Sequence, residues 1–401
     1  MKILTKGCLS LVLSGCACAG FAAPGNMVNA QRILNDGEFS LHGAVDIGIR
    51  YDRKNGEDSV YMASTNSNFN RIDFRGIEYL GNGGQYVRFL LRNQTELDSG
   101  ELRDNAFFDQ AMVAFGGEFG EIAFGRIGNI RGPLGDYGIF PVVKANPTGT
   151  TCDNNKLAPV FLSGGSSDNS IVFASKRYAG LAFTLQYVNG NGDDAKSFSE
   201  KNEAMTFATT YINGGFRIAG MATWRNRDTE SIKSAKNPNA QEIGDTWDFM
   251  VGGSYSFEDW SLHADYQYIY NGAGPGGMGA LTWADVKNDL GTLTASKRGF
   301  DTHAIALGLG FKALGGKIGL LAAMNHTTYK GDGEMPAGVP QSGNRYLLAS
   351  SYKYFLSKRT HLFAIANYSE GHGIYQLNSL KSNAADPIDR VMFVLGMHHT
   401  F

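Results

Sequence analysis

The sequence predicts an all-β protein, a 16-stranded antiparallel transmembrane β-barrel with short turns at one end and long loops at the other. Three observations predict it. Apolar and polar residues alternate with period 2 from Phe39 to the C-terminus. The connections between alternating segments are short and long by turns, the pattern of an outer-membrane barrel. Beyond the first residues, no segment approaches the roughly 18 apolar residues of a spanning helix.

Composition agrees. Charged residues are 18% of the 401 and hydrophobic residues 43%, whereas soluble domains carry roughly 25% charge. The chain has 52 Gly against 10 Pro, which suits tight turns and a crowded sheet better than a disordered linker. A formal net charge of −2, with no basic cluster interleaved with aromatics, indicates no strong electrostatic pull toward nucleic acid, so no nucleic-acid partner is expected.

Residues 1–23 read as a signal peptide for export. Lys2 and Lys6 are followed by the apolar stretch from Leu9 to Leu13 and by small residues up to Ala22 and Ala23. Leu13-Ser14-Gly15-Cys16 also resembles a lipobox, in which case Cys16 is lipidated and begins the mature chain. The other reading places ordinary cleavage near Ala22. Cys8, Cys16 and Cys18 lie in this leader, so only Cys152 remains in the body. One thiol allows neither an internal disulfide nor a metal site. Residues 24–38 lack alternation and form a short N-terminal segment. The barrel domain is 39–401.

The elements follow in order. Leu41, Val45, Ile47, Ile49 and Tyr51 share one face of the first strand, with His42, Asp46, Gly48 and Arg50 on the other. Further strands are expected near 69–79, 85–96, 105–115, 119–126, 169–177, 181–188, 203–212 and 215–226, then 246–256, 260–270, 300–311, 316–328, 344–355, 360–370 and 390–401. With the first, near 40–51, this makes 16, an even number as a closed bacterial barrel requires. Short turns such as Asn213-Gly214 and Glu258-Asp259 alternate with long connections at 52–68, 97–104, 127–168, 189–202, 227–245, 271–299, 329–343 and 371–389. Both termini then lie at the short-turn end, which is periplasmic in such barrels. Aromatics beside the turns, among them Tyr51, Phe115, Phe119, Trp224, Tyr255 and Trp260, fit two interfacial girdles.

Four pieces then carry a family resemblance. Phe39-Ser40-Leu41-His42-Gly43-Ala44-Val45-Asp46 resembles the first strand of the general porins of Gram-negative bacteria, particularly the neisserial and beta-proteobacterial branch. Asn70-Arg71-Ile72-Asp73-Phe74-Arg75-Gly76 is similar to that family's second strand, and Phe119-Gly120-Glu121-Ile122-Ala123-Phe124-Gly125-Arg126 to the strand before its third loop. Gly396-Met397-His398-His399-Thr400-Phe401 resembles its closing motif. The resemblance implies a homotrimer in the outer membrane, in contact with lipid and lipopolysaccharide. Each barrel would hold a water-filled pore for passive diffusion of ions and small hydrophilic solutes, with no cofactor. It implies that Phe401 signals to the barrel-assembly machinery and that the loop 127–168 folds inward. A connection of that length is seldom mere slack.

Constriction chemistry needs a loop carboxylate facing guanidinium groups on the wall. Alternation puts Arg71, Arg75, Arg88 and Arg92 on the lumen face, and Arg71 matches a family arginine. Asp136 is the candidate loop carboxylate, with Asp153 second. Asp109 stands where the family's fourth strand usually carries Arg, Val172 and Ala174 replace a polar pair, and His398 replaces Arg. The inward faces read as Arg, Asp, Gly and Thr, without an aromatic ladder. Enzyme motifs are missing: there is no H-E-x-x-H, no G-x-S-x-G and no Walker loop. The expectation is therefore a diffusion channel rather than an enzyme. A solute-specific channel and an adhesion barrel with an incidental pore are the alternatives.

Overall fold

The computed structural model describes residues 38–54, 56–81, 83–102, 109–130, 136–139, 165–189, 203–226, 244–272, 274–276, 298–331, 335, 337–377 and 388–401. The expected signal peptide, Cys16, Cys152, Asp153 and most of 127–168 lie outside the described residues.

Seventeen strands join one antiparallel sheet. They are β1 (Glu38–Lys54), β2 (Glu57–Ser64), β3 (Arg71–Leu80), β4 (Gln85–Gln94), β5 (Gln110–Gly117), β6 (Gly120–Gly128), β7 (Ser166–Ala174), β8 (Leu181–Val188) and β9 (Ala204–Asn213). There follow β10 (Phe216–Arg225), β11 (Thr246–Phe257), β12 (Trp260–Gly272), β13 (Phe300–Ala313), β14 (Gly316–Tyr329), β15 (Ser342–Phe355), β16 (Thr360–Gly373) and β17 (Arg390–Thr400). Each strand from β3 onward pairs with its successor, and β17 returns to β1, which closes the barrel. Closure removes the open edges that a flat sheet would leave in lipid.

Seventeen strands make sixteen staves because β2 and β3 share one. β1 pairs with β3 over Glu38–Ala44 and with β2 over Ile47–Lys54. The expected loop 52–68 therefore contains a strand. Lys54-Asn55-Gly56-Glu57 carries the Asn-Gly hairpin signal, which alternation alone does not register. Between β2 and β3 the chain turns inward. There the carboxylate of Asp46 accepts backbone N–H bonds from Asn66 at 2.6 Å, Ser67 at 3.0 Å and Asn68 at 3.1 Å. These donors lie between strands, where the carboxylate takes the place of the ladder.

The outer face carries Ile49, Phe124, Leu185, Phe207, Val251, Leu307, Phe393 and Leu395, all exposed. This is the apolar band that a lipid-facing surface requires. Aromatic contacts gather at its margins, as in Trp260 on Phe311 at 5.0 Å between ring centroids and Phe115 on Phe119 at 5.8 Å. The inner face corrects one expectation. Beside Thr, Asp and Arg it carries Met221, Met250, Leu321, Leu347, Phe363, Ile365, Met392 and Val394, all buried. These positions alternate correctly, but several neighbouring outward residues are also apolar, and that contrast-poor run hides which face is which.

Gly125 is a backbone requirement. Its φ is +130° and the register shifts between Gly125 and Ile127, where β6 turns toward the third loop. A Cβ here would stand 2.2 Å from the carbonyl oxygen of Ala111. Gly125→Ala is expected to cost about 1–3 kcal/mol from backbone strain, read as a lower temperature for loss of the folded, heat-modifiable gel band.

Candidate functional site

Inward alternation on β3 and β4 sets two ladders side by side. β3 offers Arg71, Asp73 and Arg75, and β4 offers Tyr86, Arg88, Leu90, Arg92 and Gln94. Register places Asp73 directly opposite Arg92. Arg92, 0% exposed, grips Asp73 with both arms, Nε to Oδ1 at 2.6 Å and Nη2 to Oδ2 at 2.8 Å. Arg75 approaches the same carboxylate at 3.0 Å and Arg71 at 3.8 Å. A buried carboxylate is stable as a charge only with such partners.

A second centre forms around Arg88. It donates to Glu121 of β6 through Nε at 2.7 Å and Nη2 at 2.6 Å. It also donates to Asp136 at 3.1 Å and to the hydroxyl of Tyr137 at 2.9 Å. Tyr86 donates to Glu121 at 2.9 Å, and Tyr137 donates to it as well. Asp136 also lies 3.5 Å from Arg75, so this loop residue ties the two centres together. Four guanidiniums, of Arg71, Arg75, Arg88 and Arg92, meet three carboxylates, of Asp73, Glu121 and Asp136, for a formal net charge of +1.

Packing holds the loop as firmly as charge. Tyr137 joins Leu90, Met112, Ala114, Ala123, Ile127, Val172 and Ala174 in a buried apolar cluster on the inner wall. The apolar Val172 and Ala174 thus serve as part of the seat for Tyr137. Nearby, Ile139 donates its N–H to the carbonyl of Ile130 at 2.9 Å, and Ile130 donates to the side chain of Gln186 at 3.1 Å. Ile130 and Ile139 also join a buried apolar cluster with Ala208, Ala219, Met221 and Met250, so the described part of the loop lies against the lumen wall from β4 to β11.

Burial opposes the charged form of Asp136, yet Arg75 and Arg88 outweigh it and hold the carboxyl below the usual carboxylate range. Burial and Glu121 push the Tyr137 phenol well above its usual range, against the pull of Arg88. The depressed carboxyl fixes a sign. Its contribution to docking is complete above the unfolded Asp value of about 3.9 and is lost as pH falls through the lower folded value. Current noise from loop motion is accordingly expected to rise only below about pH 4, in recordings stepped from pH 7 downward.

The structure brings together Arg71, Arg75, Arg88, Arg92 and Asp136. Asp109 adjoins the cluster through its backbone, its N–H donating to the Arg92 carbonyl at 2.8 Å and its C=O accepting from Arg126 at 2.9 Å. It precedes β5, and its carboxylate accepts from the Gln94 amide at 2.8 Å and from the Ser166 hydroxyl at 3.2 Å. The expected strand 105–115 placed it on a wall face, whereas β5 begins at Gln110. His42 faces inward near the short-turn end and His398 sits buried beside Asp46. Phe401 closes the seam: its N–H and C=O bond to Gly43 at 3.1 and 3.0 Å. Sequence reasoning missed Asp73, Glu121, Tyr86 and Tyr137 as members of the cluster. The same alternation that selected Arg71 and Arg75 also places Asp73 between them; nothing local marks Tyr137. Among the described residues, no group of three or more His, Cys, Asp and Glu is arranged to hold a metal.

A family model described as Gram-negative porin matches residues 10–373. An outer membrane porin protein of Bordetella pertussis is 24% identical over 392 residues, covering 90% of this chain and 94% of that protein. Among solved structures, an anion-selective porin from Comamonas acidovorans superposes with a TM-score of 0.63 at 18% identity, covering 91% of this chain and 100% of that one. The trimer form of OmpT, an outer membrane protein of Vibrio cholerae, gives 0.56 at 12% identity, with 92% and 100% covered.

Proposed function

Because the chain belongs to the Gram-negative porin family, we propose that its arginine cluster and third loop form the constriction of the channel. The protein is an outer-membrane porin, a water-filled barrel through which ions and small hydrophilic solutes diffuse passively. Its family is one of channels, so the function is transport rather than catalysis. The carrying observation for the constriction is Asp136, a loop residue held at 3.1 Å by Arg88 and 3.5 Å from Arg75 of the wall. Charges fixed on a narrow wall act through short gaps of low effective dielectric and sort ions by sign.

Finer assignments follow from the same premise. The long-loop end faces outward and the short-turn end the periplasm, with residues 1–23 removed on export. The working unit is a homotrimer, a reading supported by the trimer form of the Vibrio cholerae relative. Phe401, at the β1–β17 seam, is the assembly signal, and the apolar outer band meets lipid and lipopolysaccharide. A solute-specific channel is the second reading.

Planar-bilayer recording of the purified protein tests these assignments. Conductance entering and leaving in groups of three is expected. Single steps would overturn the trimer, absence of conductance would overturn the channel, and block by one solute at micromolar concentration would favour the second reading.

A further inference from the structure

Asp46, His398 and His361 stand in one row across three adjacent strands. Register sets Asp46 of β1 opposite His398 of β17, and His398 opposite His361 of β16. All three face the lumen near the short-turn end and are 0%, 1% and 2% exposed. The two imidazoles lie 4.7 Å apart between centroids. Both ring nitrogens of His361 and Nδ1 of His398 lack a hydrogen-bond partner. Buried polar atoms normally have one; Nδ1 of His398 faces Asp46, while the two nitrogens of His361 point to an ion or an ordered water.

Asp46 stands behind His398, with Oδ2 at 3.6 Å from Nδ1. That is a near contact, beyond hydrogen-bond length. Its oxygens are already committed to the backbone N–H groups of Asn66, Ser67 and Asn68, so it is a fixed anchor and not a free ligand. A carboxylate placed behind one nitrogen of an imidazole is the usual outer support of a metal-binding histidine. Phe355 and Phe363 flank His361 at 5.5 and 6.4 Å and shield it from the side.

We propose that His361 and His398 form a two-histidine site for a borderline divalent transition metal ion, Ni²⁺, Zn²⁺ or Cu²⁺, with Asp46 positioning His398. Coordination requires the rings to turn so that one nitrogen of each reaches the ordinary Zn–N distance of about 2.0–2.1 Å, and requires water to enter with the ion, since the two histidines are 2% and 1% exposed. Lys353 of β15 and Arg71 of β3 act electrostatically on His398, and Lys353 also on His361. They oppose any ion held by charge alone. The site therefore rejects Mg²⁺ and Ca²⁺, which prefer oxygen, and accepts metals that gain from imidazole coordination.

Isothermal calorimetry on the purified full chain in detergent, titrated with NiCl₂ and in parallel with MgCl₂, reads this out. One Ni²⁺ per chain is expected, with no heat from Mg²⁺. The single variants His361→Asn and His398→Asn, each checked for the folded gel band, should lose that ion. On the wild-type protein labelled with ¹⁵N-histidine, Ni²⁺ should also broaden the imidazole resonances of His361 and His398, without need of any variant. Ni²⁺ binding unchanged in both single variants, no binding in the wild type, or histidine resonances indifferent to Ni²⁺ would each overturn the site. None of these readouts requires current through the pore, so they stand apart from the channel reading.

Discussion

Arg88→Met is expected to destabilise the folded barrel by about 3–5 kcal/mol, the usual cost of stripping one partner from a buried ionic network. Methionine roughly fills the space of the arginine stem, so the loss is of charge and donors, not of volume. Wild-type Arg88 donates to Glu121 twice, to Asp136 and to Tyr137. Without it, Glu121 keeps the hydroxyls of Tyr86 and Tyr137 but no cation, and Asp136 keeps Arg75 at 3.5 Å. The temperature at which the folded gel band disappears should fall. Arg88→Lys retains the charge without the planar fork and should fall less. Equal temperatures for the wild type and Arg88→Met would show that the cluster does not hold the wall and loop together.

The second large effect concerns ion selectivity. Asp136→Asn removes one of three carboxylates facing four guanidiniums, so the formal charge of the cluster rises from +1 to +2. The zero-current potential across a KCl gradient should move toward anion preference. The shift should be larger near 0.1 M salt, where the Debye length is about 10 Å, than near 1 M, where it is about 3 Å. Asp109→Asn is the contrast. The Asp109 carboxylate accepts from Gln94 and Ser166 rather than from a guanidinium of the cluster, so its removal should move the potential less. Equal shifts in the two variants would place the selective charges elsewhere on the wall.

Both predictions join features of different legibility. Placement of Arg71, Arg75, Arg88 and Arg92 on one face was readable, because successive strand side chains alternate by covalent geometry. Asp136 as the loop carboxylate is less legible, resting on a turn-rich stretch in a long loop. Glu121 lay in plain view within Phe119–Arg126, but an acidic residue on an inward face has no local mark that names its partner. Arg88 and Glu121 are 33 residues apart in sequence and Arg88 and Tyr137 are 49. The inner apolar residues were misjudged for a related reason, since Met392, Phe393, Val394 and Leu395 run together and blur the period.

The sequence by itself determined the strand period, the alternation of turn and loop length, the barrel that these require, and the face on which each arginine lies. Those properties follow from a few neighbouring residues and from the need to satisfy every backbone group inside lipid. The tertiary structure alone decided the broken second stave, the docking of Tyr137 and Asp136, and the seam where Arg390 meets Asp52 across 338 residues, Nε to Oδ1 at 2.7 Å. Partners so far apart meet only when register and closure are set for all the staves at once, and no window of the sequence contains that condition.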